Sequence, residues 1–364
     1  MPHLPVPRKI MFVITPLFSP LHSSSKLGSA LGLTKRFIRK AIICFLLLCS
    51  SAAGLKAQYP ARNVIWDNKL KLEVGFLCDS LCGGRASGTK GNVEAAWWIM
   101  RKFEKAGLMR FGDSYAKHFY AGKGTIGHNI AAFFPGSKKN DSDRYIVVGA
   151  HYDNLGTIGS RMFPGADSNA SGVVAMVSLA EMLSVTKLIG RAYGCNVIFV
   201  AFDAKEFSHA GSYAFWRQIE EGELVNPVSG KTITPDKIRL MVNLEQLGGT
   251  LSRLMSGRED FLIALDGGSL GKDAKSLIER CNISYRINLE LSDSYYGSDS
   301  FSQLFYNKIG EQKVFVEHKI PSVMFTSGIT MNNNKTIDTP ESLDYSVLRQ
   351  RIYLIWHWLE YQMW

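Results

Sequence analysis

Two uninterrupted apolar runs of strand length, residues 145–150 (YIVVGA) and 196–202 (NVIFVAF), constrain the fold of this chain most. A strand that is apolar at every position is one with both faces buried. Between them, residues 171–185 read as a helix that opens after Asn169 with small residues. Elsewhere residues 92–108 have helical periodicity and stop at Gly107, and residues 129–134 read as a strand ended by Pro135 and Gly136. Residues 240–244 and 322–326 are further strand candidates, and residues 344–363 form an aromatic-rich amphipathic helix. Alternating strands and helices argue for a layered α/β domain. Without an internal repeat or a linker, one domain from residue 58 to the end is the economical division of the 364 residues.

The formal net charge of +10 suggests a nucleic-acid surface until its location is checked. Residues 1–57 hold Arg8, Lys9, Lys26, Lys35, Arg36, Arg39, Lys40 and Lys56 and no acidic residue. Those eight charges lie in the leader, so the rest of the chain is nearly neutral and nucleic acid is not an expected partner. The leader reads as a targeting segment. A cationic stretch at 35–40 (KRFIRK) precedes an apolar run at 41–49 (AIICFLLLC), and Leu55-Lys56-Ala57 before Gln58 forms a cleavage site. The run is well short of the ~20 residues that span a bilayer, so export to the periplasm or medium is expected rather than a membrane anchor.

Four cysteines remain beyond the leader, Cys78, Cys82, Cys195 and Cys281, too few for a disulfide scaffold. Cys78 and Cys82 stand one helical turn apart and read as half-buried thiols. The segment 122–127 (GKGTIG) fits a dinucleotide-binding pattern in letters, but a strand follows it where that motif needs a helix, so it is a glycine-rich turn.

Groups able to hold a divalent cation recur at strand ends and in the turns after them. His151, Tyr152 and Asp153 follow the first apolar run, and the loop 165–172 (GADSNASG) precedes the helix. Lys205 and Glu206 follow the second run, and Glu245 follows the strand at 240–244. In an open α/β sheet such positions converge on one crevice outside the carboxyl ends of the strands. One imidazole with several carboxylates suits a cation such as Zn²⁺.

In this order the motifs resemble the co-catalytic zinc aminopeptidases and the related glutaminyl cyclases. That family's pattern runs G-R-x-x-G-T-x-G-N, HxD, G-A-D-D-N-A-S-G, F-x-G-E-E-x-G-x-x-G-S, N-L-D/E and H-x-x-x-D-T. Here it is matched from about residue 81 to 341, with GRASGTKGN at 84–92, HYD at 151–153 and FDAKEFSHAGS at 202–212. The resemblance implies a three-layer α/β/α sandwich with a mixed, mostly parallel central sheet. It makes His151 a ligand of a first metal with Asp153 orienting its ring, Asp167 the bridge, Glu206 a ligand of the second metal and Glu245 an acidic ligand of the first. Two working positions differ. Lys205 stands where the family has its general base, and Asn334 stands where it has its last histidine. Ser300 is a third departure, in a segment where many relatives carry S-D-H.

An ammonium has no lone pair with which to take a proton from metal-bound water, and it repels a neighbouring cation. Asp167, Glu206 and Glu245 together with Lys205 sum to a charge that a single Zn²⁺ would balance. The expectation is therefore one zinc ion at most, with Lys205 pairing with Glu206 and Asp167 in place of the second. The functional expectations are a zinc exopeptidase trimming peptide N-termini with impaired or lost catalysis, or a non-catalytic relative binding a peptide or protein in the same cleft. A glutaminyl cyclase fits less well, since its single zinc would use the positions of Asp167, Glu206 and Asn334.

Overall fold

The computed structural model describes residues 61–137, 143–251, 254 and 257–364. The leader expected over residues 1–57 lies outside them. Helices α1 (Asp67–Leu77) and α2 (Lys90–Lys105) come first. Thr89 caps α2 by accepting the Asn92 N–H, and Gly107, in the left-handed region just past the C-cap, ends it. Strands β1 (Ala116–Gly122) and β2 (Thr125–Phe134) form a hairpin around the glycine-rich turn, and β2 contains the strand expected at 129–134.

The remainder alternates. Strand β3 (Tyr145–His151) is followed by a small hairpin of β4 (Gly156–Ile158) and β5 (Arg161–Phe163), then helix α3 (Gly172–Leu188). Next come β6 (Asn196–Phe202), α4 (Ala210–Glu220), β7 (Ile238–Glu245), β8 (Phe261–Leu265), α5 (Gly271–Ser284) and β9 (Glu290–Ser292). Helices α6 (Asp299–Leu304) and α7 (Gln312–Glu317), strand β10 (Ser322–Thr326) and helix α8 (Tyr345–Gln362) complete the domain. The eight-stranded sheet has the order β1-β2-β6-β3-β7-β10-β8-β9. Its centre, β6-β3-β7-β10, is parallel, and β2 and β8 pair with it antiparallel on either side. The mixed sheet and helices on both faces make the α/β sandwich.

The apolar runs are continuous because alternate residues serve two cores. Ile146, Val148 and Ala150 of β3 and Val197, Phe199 and Ala201 of β6 pack on the side of α1, α2, α3 and α8. Val147, Ile198, Val200 and Phe202 face the other way, against Phe215 and Trp216 of α4 and Phe315 of α7. Helix α3 is buried along most of its length, which explains why a segment apolar enough to cross a membrane is a core helix here. Register then sets the site. His151 pairs with Phe202, Gly149 with Asn243, and Glu245 with Thr326, so the strand ends bearing His151, Asp203 and Glu245 finish at one edge.

Candidate active site

The ends of β3 and β7 bring His151 and Glu245 into direct contact. His151 Nε2 lies 3.1 Å from Glu245 Oε1, with both side chains buried. Its Nδ1 lies 3.1 Å from the Asp153 carbonyl oxygen and 3.5 Å from the Asp153 carboxylate. Asp153 thus sits against the ring it was expected to orient. Burial by itself would lower the His151 pKa, but the Glu245 carboxylate overrides it and pushes the imidazole up to about 10. Burial would likewise raise Glu245, yet the charged His151 holds it down to about 2. Each group thus favours the charged form of the other across the 3.1 Å contact.

Lys205 stands over this pair. The turn Lys205–Phe207 follows β6, and Lys205 Nζ lies 3.6 Å from Glu206 Oε1. Burial opposes its charge, but Glu245, Glu206, Asp153 and Glu311 surround it and raise its pKa. Glu311 is fully buried and lies 3.1 Å from His209 Nδ1, while its second oxygen has no partner among the described residues. His209 occupies the N-cap of α4 in the left-handed region.

Asp167 is not part of this group. Its Oδ1 accepts the backbone N–H groups of Gly248 and Gly249 at 2.8 and 2.9 Å, and the carboxylate lines a pocket with Thr330 and Asn332. Burial and the nearby Asp338 raise its pKa to about 6. The expected Lys205–Asp167 pair is absent among the described residues; Glu206 and the Glu245 side of the cleft take the ammonium instead. Asn334 lies in the left-handed region within the loop leading to Asp338, whose carboxylate accepts the N–H groups of Asp167 and Ser168. No group of three or more His, Cys, Asp or Glu side chains that could hold a metal ion is brought together among the described residues.

The donor set therefore does not fit a co-catalytic zinc pair. Lys205, beside Glu206, brings a positive charge where the family pattern has a carboxylate, and Asp167 Oδ1 is bonded to the Gly248 and Gly249 backbone. Sequence reading overlooked a further departure. The family pattern G-A-D-D-N-A-S-G has a second aspartate where this chain has Ser168, so the loop offers one carboxylate where the pattern has two. The letter-by-letter motif comparison held that signal.

Other residues outside the expected ligand set frame the site. Arg85 is fully buried and donates to the carbonyls of Leu77, Tyr152, Pro164 and Gly165, tying the GRASGTKGN loop to the loops that carry His151 and Asp167. Asp203 accepts from Ser87, Asn92 and the His128 and Ala204 N–H groups, and Ser87 reaches the Asp153 carboxylate at 3.4 Å. A Cβ on Gly211 would lie 2.1 Å from the Asp203 carbonyl oxygen, so only glycine lets α4 start this close to β6.

Residues 129–358 match the model of Peptidase family M28. The chain belongs to peptidase family M28. Among characterised relatives, Leucine aminopeptidase 1 of Sclerotinia sclerotiorum (strain ATCC 18683 / 1980 / Ss-1) is 29% identical over 136 residues. That stretch covers 35% of this chain and 33% of the relative, so the match spans about a third of that protein. The fold is similar to that of the Legionella pneumophila LapA aminopeptidase, with a TM-score of 0.62 and 16% identity over 85% of this chain and 75% of the other. It is also similar to an aminopeptidase from Aneurinibacillus sp. strain AM-1, with a TM-score of 0.59, 12% identity and coverage of 84% and 96%. Fimbriiglobus ruber glutaminyl cyclase has a TM-score of 0.60, 18% identity and coverage of 81% and 95%. At these identities the likeness is one of fold.

Proposed function

We propose that this M28 member is exported and binds a peptide or protein in the family's cleft without hydrolysing it. One observation carries the reading: His151 and Glu245 pair with each other beneath Lys205. Peptide hydrolysis by the family's chemistry needs a metal to polarise water and a carboxylate to take its proton and deliver it to the leaving amine. Here the imidazole is in contact with the Glu245 carboxylate and the base position carries Lys205. Loss of a general acid/base alone costs ~10²–10⁴ in rate, and the missing ligands add to that. Lys205 takes over the electrostatic duty of a metal by offsetting Glu206 and Glu245. At most one zinc ion is expected. Export rests on the cationic and apolar leader.

Elemental analysis of purified protein, run beside aminopeptidase assays, tests this. Wild type is expected to carry less than one zinc per chain and to leave a peptide library intact by mass spectrometry. The combined Lys205→Glu, Asn334→His and Ser168→Asp variant is expected to gain zinc. Two zinc ions per chain with robust wild-type turnover would sink the proposal.

A further inference from the structure

Outside the cluster around Lys205, two histidines face each other with nothing to bond. His118 on β1 is the direct cross-strand partner of His128 on β2. Their ring centroids are 4.6 Å apart at an interplanar angle of 76°. Directly opposed residues on antiparallel strands hold their side chains close enough to share a ligand. His118 is exposed, and no hydrogen bond or ion pair engages its imidazole among the described residues. His128 is partly buried, and its Nδ1 has no hydrogen-bond partner.

His128 Nδ1 lies 3.9 Å from the Asp203 carboxylate, beyond hydrogen-bond distance. Burial and the neighbouring His118 both lower the His128 pKa. Both rings line a pocket of about 420 Å³ with Trp97, Arg101, Asp113 and Tyr115. Arg110 in the same pocket is already paired with Glu104.

We propose that His118 and His128 form an open, two-imidazole site for a borderline transition-metal ion such as Cu²⁺, Ni²⁺ or Zn²⁺. Imidazole suits these ions, and two protein ligands would leave the other positions for water or a donor from a molecule in the adjoining pocket. The site is separate from the His151 cluster and does not depend on whether that cluster holds zinc.

The probe is Cu²⁺ added to the untagged chain, followed by electron paramagnetic resonance and calorimetric titration. Wild type is expected to take one equivalent, with nitrogen couplings from two imidazoles. His118→Ala changes an exposed side chain and is expected to fold as wild type, checked by near-ultraviolet circular dichroism, with at least tenfold weaker Cu²⁺ binding. His128→Ala is expected to do the same. Wild-type affinity in both variants overturns the proposal. So does Cu²⁺ binding that His151→Ala abolishes while His118→Ala leaves it intact.

Discussion

At the residue scale, the centre of this protein is a buried set of charges that depend on one another. His151 is charged because Glu245 is, and Lys205 is held by the carboxylates of Glu245, Glu206, Asp153 and Glu311. Removing one member of such a set leaves the others buried and unpaired, which typically costs ~3–5 kcal/mol. Glu245→Gln keeps the side-chain shape but removes the charge that holds the proton on His151 and attracts Lys205, so urea unfolding should show a loss of that order. Equal stability of Glu245→Gln and wild type would mean that the pair is not charged. At Asp167 the motif position suggested a metal bridge; its Oδ1 serves the backbone of Gly248 and Gly249, while its Oδ2 is buried with no partner among the described residues.

The elements show which parts of a pattern a chain keeps when the chemistry changes. The turn between β6 and α4 retains the backbone shape of F-x-G-E-E-x-G without its glycines. Ala204 and Ser208 stand at the two glycine positions with φ of 58° and 56°, in the left-handed region. An L-residue there costs ~1–2 kcal/mol through the close approach of its Cβ to the following carbonyl. Ala204→Gly and Ser208→Gly should therefore each raise the urea midpoint, by ~1 kcal/mol in stability after the entropy of the added glycine is set against the relieved strain. A drop in either midpoint would show that the side chain contributes packing that outweighs the strain. Element assignment itself was legible where burial writes itself into composition: β3, β6, β7 and β10 and helices α2, α3 and α8 were all visible. Strands β8 and β9, five and three residues long, and the partly exposed β1 were not. Short or edge strands carry too few apolar positions to stand out from loops.

Over the whole molecule, pH is a readout of how the C-terminal helix closes the larger core. His357 on α8 stacks on Tyr285 with ring centroids 3.4 Å apart and lies 3.4 Å from Arg62 Nη2. Burial first, and then Arg62 and Arg191, push its pKa down to about 3. The folded value lies below the unfolded value near 6.5, so the neutral ring contributes stability above about pH 6.5 and loses it as pH falls toward 3. His357→Gln should flatten the decline in urea midpoint between about pH 6.5 and 4.5 relative to wild type. The comparison isolates His357 because Asp167 and Asp203, with pKa values near 6, titrate in both proteins. Parallel profiles would count against the assignment.

The sequence by itself determined the α/β class, the buried central strands and the crevice at their ends, because hydrophobic periodicity and strand-end placement are local properties of the chain. It also exposed Lys205 and Asn334 as departures, since each is one letter in a motif. Only the tertiary structure decided what those letters do. Strand register set His151 against Glu245, and the turn after β7 set the Gly248–Gly249 backbone against Asp167. The turn after β6 lodged Lys205 among four carboxylates that come from separate parts of the chain. Long-range pairing of that kind depends on distances between residues far apart in sequence, which no motif spacing encodes.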